Sequence, residues 1–199
     1  MITQEFSGAD FLRDPEQMLS LYARGAFPMA DEDGAVDWYF PKIRTIISPD
    51  KYNIPRSFRK SISQLNFEVR IDTQFLSVVR ACTDRSETWI SEEIIEAYLR
   101  LEKLGHVHTV ETWSNNYLVG GLYGITYHGA FFGESMFSRV SQASKFALMK
   151  LLEHLNEKKF ILLDVQLMTE HLRMFGAKEI TFEEYNSLLQ KSYNQDCRF

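Results

Sequence analysis

Residues 106–138 read HVHTVETWSNNYLVGGLYGITYHGAFFGESMFS, and this stretch decides the architecture. HVHTVETW, YLVGGLYGITY and AFFGESMFS are rich in β-branched and aromatic residues. SNN and HG, which supply turn residues, separate them. Three successive antiparallel strands are predicted. Helical signals flank them. SEEIIEAYLRLEKLG is capped by Ser91 and stopped by Gly105; SQASKFALMKLLEHLNEKK follows the strands. FILLDVQL is a continuous apolar strand. A short helix TEHLRMFG, a strand AKEI and a helix TFEEYNSLLQKS come after it.

Upstream, Asp14 and Pro15 form a cap and first turn for a helix with Met18, Leu19 and Tyr22 on one face, closed by Gly25. Short strands are expected near residues 36–39 and 43–47. IPRSFRKSISQL reads as a basic amphipathic helix and FEVRID as a strand. TQFLSVVRAC reads as a helix burying Phe75, Val78, Val79 and Cys82. The fold class is α+β, with helices on a mostly antiparallel sheet. This order is also that of N-acetyltransferase-like folds, in which an acyl donor enters between splayed strands. The expected division is a small domain over 1–43 and an acetyltransferase-like domain over 44–199.

The chain has 199 residues, 45% hydrophobic and 25% charged, and a net charge of −5. A chain of this mass can bury roughly 70% of its surface, enough for one good core. Disordered, collagenous and disulfide-rich classes are excluded, as is a uniformly basic nucleic-acid binder. Two cysteines, Cys82 and Cys197, are too few for a disulfide framework or a cysteine-rich zinc site. MITQEFSGADFLRD has no cationic leader before an apolar run, and the longest apolar run, 160–163, cannot span a membrane. A soluble cytoplasmic protein is expected, with no membrane partner.

Polar residues in oily strands mark the candidate chemistry. Asp164 and Gln166 lie two apart in FILLDVQL and so share a face. Either they form a network that fixes register, or their face opens onto a pocket. Glu134 sits among Phe131, Phe132, Met136 and Phe137, where it either receives a cationic group or pairs with an arginine of the chain. Gly120, Gly121 and Gly124 weaken a strand unless a ligand approaches the backbone or the strand is bulged. His106 and His108 share a strand face but have no third donor near in sequence, so no metal is expected. Ser135 and Ser138 lack a His partner. No phosphate-binding or dinucleotide loop is present. Lys42, Arg44, Lys51, Arg56, Arg59 and Lys60 form a basic cluster, either a solvated face or a seat for phosphates.

YARGAFPMAD, WYFPKIR, TWISEEIIEAYLRLEKLGHVHTVETW, LVGGLYG, FFGESMFS, ASKFAL, LLDVQ and HLRMFGAKEI occur in this order. Together they closely resemble the leucyl/phenylalanyl-tRNA–protein transferase family. The resemblance implies transfer of Leu, and less well Phe or Met, from aminoacyl-tRNA to the N-terminal Lys or Arg of proteins, an N-end rule degradation signal. It implies no cofactor. It assigns catalytic positions to Asp164, Gln166 and Glu134, and pocket positions to Trp89 and Tyr98, with Trp38 a looser match. Leu122 stands where the family often has Met. Leu151 and Leu155 stand where larger aromatics occur, and Thr181 where a basic residue is common.

On this resemblance, the reaction is aminolysis of an ester. Gln166 is expected to accept a hydrogen bond from the attacking amine, and Asp164 to bind the Gln166 amide. Glu134 is expected to fix the amine or ribose. Trp89, Tyr98, Leu122, Met136, Phe137, Leu151 and Leu155 are expected to take the side chain, and Trp38 to stack on adenine. Lys42, Arg44, Arg56, Arg59 and Lys60 are expected to hold tRNA phosphates. The competing readings are an acyl-CoA-dependent N-acetyltransferase and an inactive tRNA- or degron-binding module. SRVSQASK lacks the glycine-rich pyrophosphate loop of the former.

Overall fold

The computed structural model describes residues 3–7, 10–31, 33–85 and 88–199. Strands β1 (Thr3–Ser7), β2 (Phe27–Ala30) and β3 (Val36–Phe40) form a small antiparallel sheet in the order β1-β3-β2. The main sheet contains β4 (Ile43–Ile47), β5 (Glu68–Ile71), β6 (Val107–Ser114), β7 (Tyr117–Tyr127), β8 (Ala130–Ser138), β9 (Leu162–Gln166) and β10 (Lys178–Thr181). Its order is β10-β4-β9-β8-β7-β6-β5. Neighbours are antiparallel except β8 and β9, which run parallel. The helices are α1 (Asp10–Arg13), α2 (Pro15–Ala23), α3 (Arg56–Ile62), α4 (Phe75–Thr83), α5 (Glu92–Lys103), α6 (Ala143–Glu157), α7 (Glu170–Met174) and α8 (Phe182–Ser192).

The predicted meander is present as β6, β7 and β8. Asn115 and Asn116 both have positive φ, 49° and 62°, which a two-residue hairpin turn requires and Asn tolerates. The Ser91 hydroxyl accepts from the Ile94 N–H at 3.3 Å and starts α5, and Gly105 at φ 78° ends it. The Asp14 carboxylate accepts from the Glu16 N–H at 2.9 Å and starts α2. Sequence reading did not resolve β1, α1 and β2, which fall in its irregular entry region.

One core cluster joins Tyr22 and Trp38 from the first 43 residues to Val78, Ile94, Tyr98 and Phe132. A second, around α6, gathers Ile47, Phe58, Val110, Leu122, Leu151 and Leu163. The small sheet is therefore packed into the same interior as the main one. The glycines of β7 serve this packing. A Cβ on Gly120 would lie 2.5 Å from that of Ala143 on α6, and one on Gly124 would lie 2.3 Å from the Phe132 carbonyl. At these two positions close approach of the chain itself requires glycine, not a ligand.

Two irregularities prepare the site. Glu134 is the extra residue where the β7 register shifts between Tyr123 and Gly124, and Val165 is the extra residue between the partners of Thr45 and Ile46. Such bulges re-aim side chains. The parallel pairing of β8 with β9 also ends at Phe132 and Asp164. Beyond that point the two strands part.

Candidate active site

A cavity of about 340 Å³ occupies the gap between β8 and β9. Leu122, Met136, Leu148, Leu151 and Leu163 provide its apolar wall, and Trp89 and Arg85 contribute from the segment before α5. Gly133, Glu134, Val165 and Gln166 also line it. The volume is at the low end of the ~300–1,000 Å³ usual for small-molecule sites. An apolar side chain with a polar head fits such a lining.

Glu134 is 7% exposed and belongs to a compact polar group. The Tyr22 hydroxyl donates to Oε1 at 3.0 Å, and the Tyr98 hydroxyl donates to Oε2 at 2.8 Å. The two hydroxyls are 3.0 Å apart. The Gln166 side-chain amide donates to Oε1 at 3.3 Å. Burial pushes the Glu134 carboxyl up to about 7, the tyrosine hydrogen bonds pull against that rise, and Asp164 adds to it. Burial and then the charge of Glu134 raise Tyr22, Tyr98 and Tyr123 well above the ordinary phenol value, so all three stay protonated, and Tyr22 and Tyr98 donate to Glu134.

Asp164 is fully buried and is not part of the cavity wall. Its Oδ2 is paired with Arg44 and accepts from the Tyr185 hydroxyl at 2.8 Å; its Oδ1 accepts from the backbone N–H of Gln166 at 2.9 Å. This corrects the expected contact between Asp164 and the Gln166 side-chain amide, which turns instead to Glu134. The reason is local. The bulge at Val165 and a φ of 61° at Gln166 break the strand alternation that places residues i and i+2 on one face. Asp164 thus holds the Gln166 backbone in a left-handed conformation that few non-glycine residues adopt.

Arg44 lies between the rings of Phe27 and Tyr185, 5.0 and 4.7 Å from their centroids, and donates to the Gly25 carbonyl at 2.9 Å. Burial opposes its charge, but Asp164 and Tyr185 outweigh that and raise it. Arg44 is 0% exposed, so its expected role in a phosphate-binding face is corrected: its charge is consumed inside. Trp38 is likewise sealed, 0% exposed and edge-on to Tyr22 at 5.6 Å, so it is not available to stack on a base. Its position at the centre of the small sheet buries it.

Of the expected side-chain pocket, Trp89, Leu122, Met136 and Leu151 line the cavity. Tyr98 reaches it only through Glu134. Phe137 and Leu155 are buried but do not line it; Leu155 is 0% exposed in the cluster around α6. Lys42 is exposed beside a separate hollow with Arg24 and Phe40. Arg56, Arg59 and Lys60 are exposed on α3, which Phe58 anchors, and none of them lines the cavity. His106 and His108 do not act together: His106 Nδ1 is 3.2 Å from the Thr126 carbonyl and His108 Nδ1 is 2.8 Å from Asp72. Ser135 accepts from Arg85 at 2.8 Å.

Sequence reading missed Tyr22, Tyr185 and Arg85 as parts of the site. Helical spacing puts Tyr22 on an apolar face, yet a buried tyrosine must find a partner for its hydroxyl, and that requirement is the available signal.

The model of the leucyl/phenylalanyl-tRNA protein transferase family matches residues 46–190, and that of its N-terminal domain matches residues 14–42. The chain belongs to the leucyl/phenylalanyl-tRNA protein transferase family. A leucyl/phenylalanyl-tRNA–protein transferase of Gloeobacter violaceus is 46% identical over 93% of this chain and 96% of its own length. One from Phenylobacterium zucineum is 48% identical over 90% of this chain and 84% of its own. The solved structure of L-PGS from Bacillus licheniformis matches at 13% identity and a TM-score of 0.45, over 85% of this chain and 54% of that one. Among the described residues no helix is long and apolar enough to cross a membrane. Both bulges and the gap at the β8–β9 junction fall within the matched segment of this family member.

Proposed function

We propose that the chain is an aminoacyltransferase that moves Leu, and also Phe and Met, from aminoacyl-tRNA to the N-terminal Lys or Arg of proteins, creating an N-end rule degradation signal in the cytoplasm. The observation that carries this is the convergence of Gln166 and Glu134 at an apolar cavity sized for one side chain. The opening between two parallel strands supports an acetyltransferase-like reading of the fold, with the division near residue 43 where the small sheet gives way to β4.

In this reading the aminoacyl side chain lies against Leu122, Met136 and Leu151. Met adapts its shape, so Leu is preferred over Phe by a few kcal/mol at most. The acceptor amine attacks as a neutral group; a free α-amine loses its proton near 7.7–8.0. The Gln166 amide nitrogen is engaged by Glu134. That leaves the Gln166 carbonyl oxygen to accept an N–H of the amine and aim its lone pair at the ester carbon. Holding the two reactants in this arrangement is the main contribution asked of the protein. Asp164 contributes through the backbone of Gln166 and touches no substrate.

The test is Gln166→Ala, assayed for transfer and for binding of leucyl-tRNA. Transfer is expected to fall at least tenfold with binding retained. Wild-type transfer in a folded Gln166→Ala protein would overturn the reading.

A further inference from the structure

Three acidic or phenolic groups meet at the inner end of the cavity, and the transfer chemistry as described uses only one of them. Tyr22 comes from α2, Tyr98 from α5 and Glu134 from β8. Each lies within hydrogen-bond reach of the other two: 3.0 Å between the hydroxyls, 3.0 Å from Tyr22 to Oε1, and 2.8 Å from Tyr98 to Oε2. Both tyrosines are 0% exposed, so no bulk water repairs a missing bond.

The proton inventory of this triangle is decisive. With Glu134 ionised there are two hydroxyl protons for three contacts. If both point at the carboxylate, the hydroxyl oxygens face each other at 3.0 Å with nothing between them. With Glu134 protonated there are three protons for three contacts, and a closed ring forms. Glu134 then donates to Tyr98, Tyr98 to Tyr22, and Tyr22 to the other carboxylate oxygen. The same heavy-atom positions serve both states, because only hydroxyl hydrogens need to rotate. The ionised state gains two charge-assisted bonds and the neutral state gains the third contact.

We infer that Tyr22 and Tyr98 are positioning residues that make Glu134 a reversible proton store facing the cavity, able to hold or release one proton without rearrangement. The other groups facing Glu134 are Tyr123 from β7, Asp164 and Gln166 from β9, and Arg44 from β4. Asp164 and Arg44 are paired with each other. Tyr123 stays a phenol, and Gln166 does not titrate. The shift of Glu134 to about 7 agrees with a poised rather than a permanently neutral acid.

This role deepens the aminolysis reading and rests on it for its use in the reaction. As the amine nitrogen forms the C–N bond, the ribose oxygen leaves with the C–O electron pair. Glu134 gives its proton to that oxygen and takes one from the nitrogen. An ester and an amine become an amide and an alcohol, and Glu134 ends as the acid it began as.

The experiment is an infrared pH titration of the carboxylic-acid carbonyl band in the full-length protein without substrate, with Glu134→Gln assigning the band. The wild type is expected to lose the band with a midpoint near neutrality. Tyr22→Phe and Tyr98→Phe each remove a donor to the carboxylate and should raise that midpoint by roughly half a pH unit or more. Because the reaction starts from protonated Glu134, the alkaline limb of transfer should move with the midpoint, which a purely structural role would not cause. Absence of a titrating Glu134 band in the wild type overturns the inference even if both variants fail to fold. So does an unmoved midpoint in a folded variant. A band that behaves as expected in a protein that transfers nothing would sink the aminolysis reading and leave the proton store standing.

Discussion

Raising the pH should weaken the folded protein through Glu134, by an amount that follows from its environment. Burial lifts this carboxyl from an ordinary 4.5 to about 7. Between those values the folded protein holds a proton that the unfolded chain has released, so stability falls as pH rises. The contribution is complete below about pH 4.5, and it is lost by the time the pH has passed through about 7. At ~1.4 kcal/mol per pH unit, the window is worth about 3 kcal/mol. Solvent screening takes little from this, since Glu134 is only 7% exposed. For a chain of this size the loss corresponds to a fall on the order of 10 °C in Tm. The assay is urea unfolding of wild type and Glu134→Gln at matched pH values from about 4 to about 8. Other titrating groups affect both proteins alike, so the difference isolates Glu134. The variant should gain on the wild type by about 3 kcal/mol across the range. Parallel stability curves would show that the folded carboxyl titrates like a solvated one, and the description of the site would be wrong.

Arg44→Met should cost about 3–5 kcal/mol in urea unfolding because it strands Asp164 without its cation; adding Asp164→Leu should recover much of that, and additive losses would contradict the pairing. Asp164→Ala alone should likewise destabilise the fold by several kcal/mol, since it leaves Arg44 buried and unpaired, so its lost transfer must be read against the remaining folded fraction. Leu151→Phe should shrink the cavity and lower transfer of Phe more than of Leu, measured as the ratio of their kcat/KM values; an unchanged ratio would remove Leu151 from the pocket. Charge reversal at Arg56, Arg59 and Lys60 should weaken tRNA binding and flatten its dependence on salt, and an unchanged slope would place the tRNA elsewhere.

The meander, the flanking helices and their caps were legible in the sequence because each rests on local chemistry. The bounds of β7 and β8 match the segments set off by the Asn115–Asn116 and His128–Gly129 turns. The small sheet was only partly legible. Only β3 was foreseen: β1 pairs with it from at least 30 positions away, and β2, though close to β3 in sequence, has four residues and contains Pro28, which weakens a strand signal. Within the site, Glu134, Gln166 and Asp164 stood out as polar residues in apolar strands, and all three are buried together. Their orientation was not legible. The face shared by residues two apart assumes a regular strand, and the extra residue at Val165 cancels it. Arg44 looked like one of a run of basic surface residues because nothing local reveals that Asp164, 120 positions later, neutralises it. The resemblance offers Trp38 for stacking on adenine and Leu155 for the pocket, but packing against Tyr22 and within the α6 cluster takes both away from the cavity.

The central claim is that Gln166 and Glu134 direct an amine onto an activated aminoacyl ester at this cavity. Transfer of labelled Leu from its tRNA to a peptide beginning with Arg, beside one beginning with Ala, tests it most directly. The account predicts labelled product with the Arg peptide, little with the Ala peptide, and at least a tenfold loss when Gln166 is replaced by Ala. No transfer to either peptide by the folded wild-type protein, with charged tRNA intact at the end of the assay, would contradict it.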